Sequence, residues 1–289
     1  MSFITPLVPF AERWIITMKI LCSTGALIGR PNNRNYRLLA GLAGKLSCDG
    51  FEFLMYDTWY EEWREIVKYL KEAALPVPVM HCEKQIGEAI SKGGPENLAR
   101  AFGLFEINCE MAAALGAGKL VVHLWDGLTS DSNFGSNLEA YGELHRMAQA
   151  HGIMILVENV VCNVENPMKH WRQLAEEYPE MRFVFDTKMA AFHGELELLY
   201  SPEYAWLWQQ GHIRHFHVND YDGGYKEWEK LKTLPIGAGH VDFDKFFAFV
   251  RGTGYLGTFT VEATAFDRMG VVNTDMLNRC FAKIRSAMA

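Results

Sequence analysis

Eight short apolar runs, separated by longer amphipathic segments, predict an α/β fold: a (β/α)₈ TIM barrel in a single domain over residues 1–289, with residues 1–15 as an N-terminal extension. Three observations carry this. The runs are nearly continuous in apolar character, as parallel strands buried on both faces are. They alternate with segments of helical spacing along the whole length. The chain has 289 residues, close to the roughly 250 that eight βα units occupy.

The apolar runs are Ile16–Ser23, Phe51–Tyr56, Val77–Cys82, Leu120–Leu124, Ile153–Glu158, Phe183–Asp186, Ile213–Val218 and Thr258–Glu262. The helical segments are Tyr60–Ala74, Pro95–Leu115, Leu138–His151, Pro167–Tyr178, Phe243–Arg251 and Thr274–Met288. Asn166-Pro167 and Ser201-Pro202 put proline just inside a helix start, and Asp242 is placed to cap the helix from Phe243. An open doubly wound sheet is the rival architecture. It usually carries a glycine-rich phosphate turn after its first strand, and here Ser23–Gly29 has glycines at the wrong spacing for G-x-G-x-x-G.

Composition narrows the function classes. The formal charge of -7 at pH 7 argues against nucleic acid, which needs a basic surface to neutralise phosphates. No stretch approaches the roughly 20 apolar residues of a membrane span. Glu12 and Arg13 interrupt an N-terminus that also lacks the basic start of a signal peptide. The six cysteines are scattered without a C-x-x-C pair, so neither a disulfide framework nor a structural zinc site is expected. A reducing, cytoplasmic setting fits best, and a homo-oligomer is compatible with all of this.

The active site of such a barrel lies at the C-terminal ends of its strands. Polar residues close six consecutive strands: His81, His123, Glu158, Asp186, His217 and Glu262. Taken singly, each has a plain structural explanation, such as a buried hydrogen-bonded histidine or a carboxylate capping the next helix. Closing the barrel, however, turns all six toward one mouth. Three carboxylates there raise one another's pKa unless a cation compensates. One divalent ion (Mg²⁺, Mn²⁺, Co²⁺ or Zn²⁺) suits oxygen ligands with one imidazole. His215 and His217 share a face, and His215 lies one layer deeper, as a core residue. Glu52 faces either the mouth or a buried salt bridge. Tyr56, Trp59 and Trp125 follow strands and either wall the pocket or cover the core. Residues 226–232 form a charged loop or flap.

At these residues the sequence resembles the sugar phosphate isomerase/epimerase superfamily of xylose-isomerase-like barrels. The resemblance rests on Val157-Glu158-Asn159, Phe185-Asp186-Thr187, His215 through Asp220, Gly237-Ala238-Gly239 and Val261-Glu262. It implies that Glu158, Asp186, His217 and Glu262 bind one divalent metal, and that Glu158 and Glu262 are the catalytic acid/base pair. It also implies that the Gly-x-Gly loop lies near the mouth. His81, His123, Lys188 and Trp125 are the expected substrate-binding residues, the two histidines either holding hydroxyls or tuning the glutamates. Two departures matter. The histidine often found three residues after the sixth-strand aspartate is Met189 here, leaving Lys188 or His193 to substitute. The multinuclear zinc endonucleases need an Asp-x-His after strand seven, and Asp220-Tyr221-Asp222 offers no such histidine.

The implied activity is metal-dependent isomerisation or epimerisation of a small polyhydroxy carbonyl compound, by proton abstraction next to a carbonyl. A dehydratase-type lyase resembling inosose dehydratase would use the same metal and expel a hydroxyl. A non-catalytic sugar-binding barrel would have little use for intact residues at all four metal positions. No cluster of Arg and Lys marks the last two strand ends, which favours a non-phosphorylated sugar.

Overall fold

The computed structural model describes residues 18–289; the expected extension over residues 1–15 and the start of the first apolar run lie outside them. Eight parallel strands close into a barrel in sequence order: β1 (Lys19–Ser23), β2 (Gly50–Leu54), β3 (Val79–His81), β4 (Lys119–Val122), β5 (Met154–Glu158), β6 (Phe183–Asp186), β7 (Ile213–His217) and β8 (Thr258–Val261). The helices are α1 (Leu38–Ala43), α2 (Trp63–Glu72), α3 (Gln85–Lys92), α4 (Pro95–Leu115), α5 (Phe134–Ala150), α6 (Pro167–Glu177), α7 (Thr187–Phe192), α8 (Trp206–Gln209), α9 (Phe243–Gly252) and α10 (Thr274–Met288).

Strand side chains alternate between two faces, and that alternation builds the interior. One face packs on the helices and joins the main core, which includes Ile20, Cys22, Phe53, Met80, Leu120, Val157, Phe185, Phe216 and Phe259. The other points into the barrel. There Leu21, Val79, Val121, Leu156 and Val184 form a small, fully buried cluster of their own, a packed layer such as fills these barrels. Polar side chains complete the remaining sector. Glu52 Oε2 lies 2.7 Å from His215 Nε2 and accepts from Thr260 Oγ1 at 2.7 Å. His215 Nδ1 faces Thr258 Oγ1, which also accepts from Lys119 Nζ at 2.9 Å. His215 is thus the deeper, hydrogen-bonded histidine expected, and Glu52 takes the buried salt-bridge alternative. Two residues further along the strands lies the mouth. A register shift between Phe183 and Val184 sets Val184 opposite His215 and Asp186 opposite His217, which aims both histidines inward.

The expected helices form, with local differences. Pro167 begins α6, and Asp242 caps α9 by accepting from Lys245 N at 2.9 Å. The segment expected from Leu138 starts at Phe134, and the one expected from Tyr60 becomes a 3₁₀ turn (Asp57–Trp59) followed by α2. Ser201-Pro202 opens only a 3₁₀ turn, Pro202–Tyr204. Helix α3 is not among the expected helices: at eight residues it spans barely two turns, although Gln85, Glu88 and Lys92 do form a polar stripe opposite the buried Ile86, Ala89 and Ile90. Its Gly87 is required by proximity: a Cβ there would stand 2.3 Å from the carbonyl oxygen of His123. This close approach seats α3 against the end of β4. All six cysteines are free. No described helix is long and apolar enough to cross a membrane.

One buried carboxyl makes stability depend on pH. Glu195 accepts from Met168 N at the start of α6 through Oε2, while its Oε1 is buried with no partner among the described residues. Burial pushes its pKa up to about 8, against the smaller opposing effects of that amide and of Lys169 and Lys226. A raised folded-state pKa means the proton stabilises the fold, fully so below the unfolded value near 4.5, and that this stability is lost as pH rises through about 8. Glu195→Gln should therefore raise the melting temperature more at pH 8.5 than at pH 5. Equal shifts at both pH values would show that Glu195 is not protonated in the folded protein.

Candidate active site at the barrel mouth

The six strand-end residues do meet. Glu158 closes β5 with both oxygens engaged: Oε2 lies 3.2 Å from His81 Nε2 and 3.0 Å from His123 Nε2, and Oε1 lies 3.0 Å from His217 Nδ1. The other ring nitrogens are fixed from behind. His81 Nδ1 donates to the Cys82 carbonyl at 2.7 Å, and His123 Nδ1 lies 2.6 Å from Asp126 Oδ2. His217 Nε2 is held by Glu52 Oε1 at 2.9 Å, so the polar sector of the lower layer anchors the mouth histidine.

Asp186 divides its labour. Oδ1 caps α7 by accepting from Met189 N at 2.9 Å. Oδ2 faces the site, 4.0 Å from His217 Nδ1 and 4.0 Å from Lys188 Nζ. The helix-capping and site-facing explanations of a strand-end aspartate both hold here, one on each oxygen. Glu262 follows β8, with Oε2 3.5 Å from His217 Nδ1 and its side chain 19% exposed. It is the most open of the four acidic and imidazole groups that face one another.

Glu158, Asp186, His217 and Glu262 each offer one donor atom, and these atoms lie within 4.8 Å of one another. Other sets within the same reach are His81, His123 and Glu158; Glu52, His81, His217 and Glu262; and Asp131, Cys162 and His170. The last set has a structural occupation already. Asp131 accepts the amides of Asn163, Val164 and Glu165 and lies 2.8 Å from His170 Nε2.

The electrostatics describe a site short of positive charge. Burial disfavours ionised Glu158, but His217 and His123 outweigh it and hold the carboxyl well below the usual range. Burial likewise opposes a charged His217, yet Glu262, Glu52 and Glu158 raise its pKa well above that of free imidazole. Burial pushes Asp186 up to about 6; Lys188 opposes this, while Glu158 and Glu262 add to it. Near-neighbour carboxylates thus compete for too few protons. Three carboxylates and one imidazole in this arrangement are a donor set that a divalent cation fits.

A model of the family described as xylose isomerase-like TIM barrel matches residues 41–276. The chain belongs to that family. No protein of curated function matches its sequence. Among solved structures, this family member is similar to the D-allulose 3-epimerase of Methylomonas sp., with TM-score 0.69 and 16% identity over 94% of this chain and 98% of that one. It is also similar to the 3-keto-D-glucoside 4-epimerase of E. coli, with TM-score 0.67 and 18% identity over 93% and 100%. A sugar phosphate isomerase/epimerase structure from Anabaena variabilis gives TM-score 0.69 at 15% identity over 94% and 98%. These likenesses are of fold.

Within this xylose isomerase-like barrel, several expectations need correction. Trp125 does not wall the mouth: it is fully buried, edge-on to Phe134 and His170. The indole packs instead against Phe134 at the start of α5 and His170 on α6, which places it in the core beneath those helices. Trp59 is likewise core, against Phe53 and Tyr36. His193 cannot stand in for the missing histidine, because its Nε2 accepts from Cys162 N and its Nδ1 faces the Met189 carbonyl. Lys188 does line the mouth, and its Nζ donates to Thr233 Oγ1 at 3.2 Å. The Gly-x-Gly loop is not at the mouth: Gly237 donates to Asp220 Oδ2 at 2.8 Å and lines a separate cavity of about 510 Å³ beside Lys283.

Two asparagines were visible only as letters in the motifs. Asn159 binds the backbone of Asp186 in both directions, accepting its N–H at 2.7 Å and donating to its carbonyl at 3.0 Å. Asn219 does the same work between β7 and β8, accepting from Glu262 N at 2.9 Å and donating to Glu262 Oε2 at 3.1 Å. An amide at the position after a strand end, or two after it, clamps the backbone of the acidic residue at the end of the next strand. Asn219→Ala leaves the Glu262 backbone N–H without its partner and takes one donor from the Glu262 carboxylate. It should cost about 1–3 kcal/mol in denaturant unfolding, and an unchanged midpoint would contradict the clamp.

Proposed function

We propose that this chain is a divalent-metal-dependent isomerase or epimerase of small polyhydroxy carbonyl compounds. The observation that supports this most is the convergence of Glu158, Asp186, His217 and Glu262 within 4.8 Å at the barrel mouth. These four are the proposed ligands of one divalent ion, with Mn²⁺, Mg²⁺, Co²⁺ and Zn²⁺ as candidates. Two structural neighbours act, by their names, on keto sugars, and the Methylomonas enzyme has been captured with D-allulose. That supports the substrate class.

The ion, when bound, supplies Lewis-acid stabilisation of negative charge developing on the substrate's oxygens. The chain's own residues account for the rest. Glu158, held as a carboxylate by His217 and His123, takes the proton from the carbon beside the carbonyl. Glu262, partly open to the cavity and so able to pick up a proton from solvent, returns one there or to the adjacent carbon. His81 and His123 hold the Glu158 carboxylate from one side and His217 from the other, which keeps its lone pairs in fixed directions. Lys188 and Thr233 present donors to substrate hydroxyls across the same cavity. Among the described residues no arginine lines the cavity, which suits a sugar without phosphate.

Glu158→Gln should retain the fold and lower turnover of keto sugars by roughly 10²–10⁴. Chelator treatment should abolish turnover, and Mn²⁺ or Co²⁺ should restore it. Activity that survives both treatments rules the mechanism out. Mass spectrometry of the product separates epimerisation, which conserves substrate mass, from the dehydratase alternative, which loses water.

Glu52 lies behind the proposed ligand His217 and accepts from its Nε2, which leaves Nδ1 facing the three mouth carboxylates. Outer partners of this kind typically change metal affinity by about 10–100-fold. Glu52→Gln is expected to weaken Mn²⁺ binding by that factor in calorimetry, with circular dichroism unchanged. Unaltered affinity would remove Glu52 from the account.

A further inference from the structure

The mouth cavity is small. Its volume is about 160 Å³, below the roughly 300–1,000 Å³ of typical small-molecule sites. It does not end there. A second cavity of about 440 Å³ shares Lys84, His123 and Met189 with it, so the two meet at the histidine that holds Glu158. From His123 the second cavity runs outward between the β4–α5 loop and the β7–α9 loop, to Leu128 and Trp228.

The walls of this extension are of two kinds. Lys84, Asp126 and Asn163 give charged and hydrogen-bonding groups along one part, and Leu128, Trp228 and Leu231 give apolar surface along another. Trp228 is 54% exposed and Leu128 98% exposed, although large apolar side chains on a surface cost solvation. The tryptophan is not loose. Its ring sits edge-on to Phe192 at 5.2 Å. The loop that carries it is tied to α7 by Lys226 N donating to the Phe192 carbonyl at 2.7 Å. The same loop is tied to the β7 end by the Asp220–Leu234 bridge and by Tyr221 Oη donating to the Gly224 carbonyl. A fixed indole, half open beside a groove that also offers polar groups, suits a ring with an apolar face and hydroxylated edges.

We propose that the substrate is a keto sugar bearing a glycosidic substituent, whose second ring lies in this extension against Trp228. The proposal rests on the epimerase reading above, because that reading puts the reacting sugar at Glu158 and Glu262. The occupant of the extension must then be joined to that sugar through the opening at His123. A free monosaccharide fills only the inner cavity. A disaccharide fills both, placing polar edges toward Lys84 and Asp126 and a C–H face on the indole. Trp228 thereby becomes the residue that selects substituted over free ketoses.

The test compares matched ligands on the Mn²⁺-loaded protein by calorimetry: D-fructose against maltulose and isomaltulose, which are D-fructose carrying a glucosyl group at O4 or O6. The disaccharide with the fitting linkage should bind about tenfold more tightly than D-fructose, the scale of one well-placed ring stacking contact. In Trp228→Ala the ratio of the two dissociation constants should fall to about one. Equal binding of mono- and disaccharides by the unmodified protein overturns the extended substrate while leaving the epimerase reading intact. A ratio unaffected by Trp228→Ala overturns the role of the indole. If none of these sugars, nor D-allulose or D-tagatose, binds or reacts, the epimerase reading itself fails and takes the extension with it.

Discussion

His217 is held between two buried carboxylates, Glu52 at one ring nitrogen and Glu158 at the other. The rest of the mouth is arranged around that constraint. All three groups are buried, and an unpaired charge in that position would cost several kcal/mol. The imidazole cannot turn without stranding one of its partners, so its Nδ1 faces Glu158, Asp186 and Glu262 in a fixed direction. Glu158 is fixed in turn by His81 and His123. One histidine thus connects the floor of the barrel to the place where chemistry is proposed.

The floor itself is unusual in being only partly apolar. Five aliphatic side chains fill one sector of the lower layer, and Glu52, His215, Thr258 and Thr260 fill the other with a closed set of hydrogen bonds. A self-consistent direction of donation runs from Lys119 to Thr258, from Thr258 to His215, and from His215 to Glu52. Burial lowers the His215 pKa to about 4, against the pull of Glu52, which keeps this histidine neutral and able to accept from Thr258. A polar floor costs desolvation that an all-aliphatic layer would avoid. In return it gives the mouth histidine a rigid, charged partner from below.

Much of the fold was legible because strand and helix periods are local. The eight runs and the alternation between them determine which side chains turn inward, and closure in sequence order brings Glu158, Asp186, His217 and Glu262 together. What joins residues across the barrel was not legible. Nothing near Glu52 in the sequence names His217, 165 positions away, as the partner of its carboxylate. The clamps made by Asn159 and Asn219 depend on where the next strand's end falls, which local pattern does not encode. Trp125 was misread for a related reason: a residue just past a strand end goes into the mouth or under the next helix according to how the loop turns. Helix α3 escaped notice because it is only two turns long and carries a glycine, a poor helix former, where a side chain would strike the His123 carbonyl just past β4.

The central claim is that the mouth carboxylates move a proton at the carbon beside a carbonyl. The most direct measurement is isotope exchange: the Mn²⁺-loaded protein incubated with keto sugars in D₂O and followed by proton NMR. The account predicts that deuterium enters at the carbon next to the carbonyl of at least one ketose, and that this stops when the metal is removed. No exchange into any ketose, or exchange that continues in metal-free protein, would contradict it.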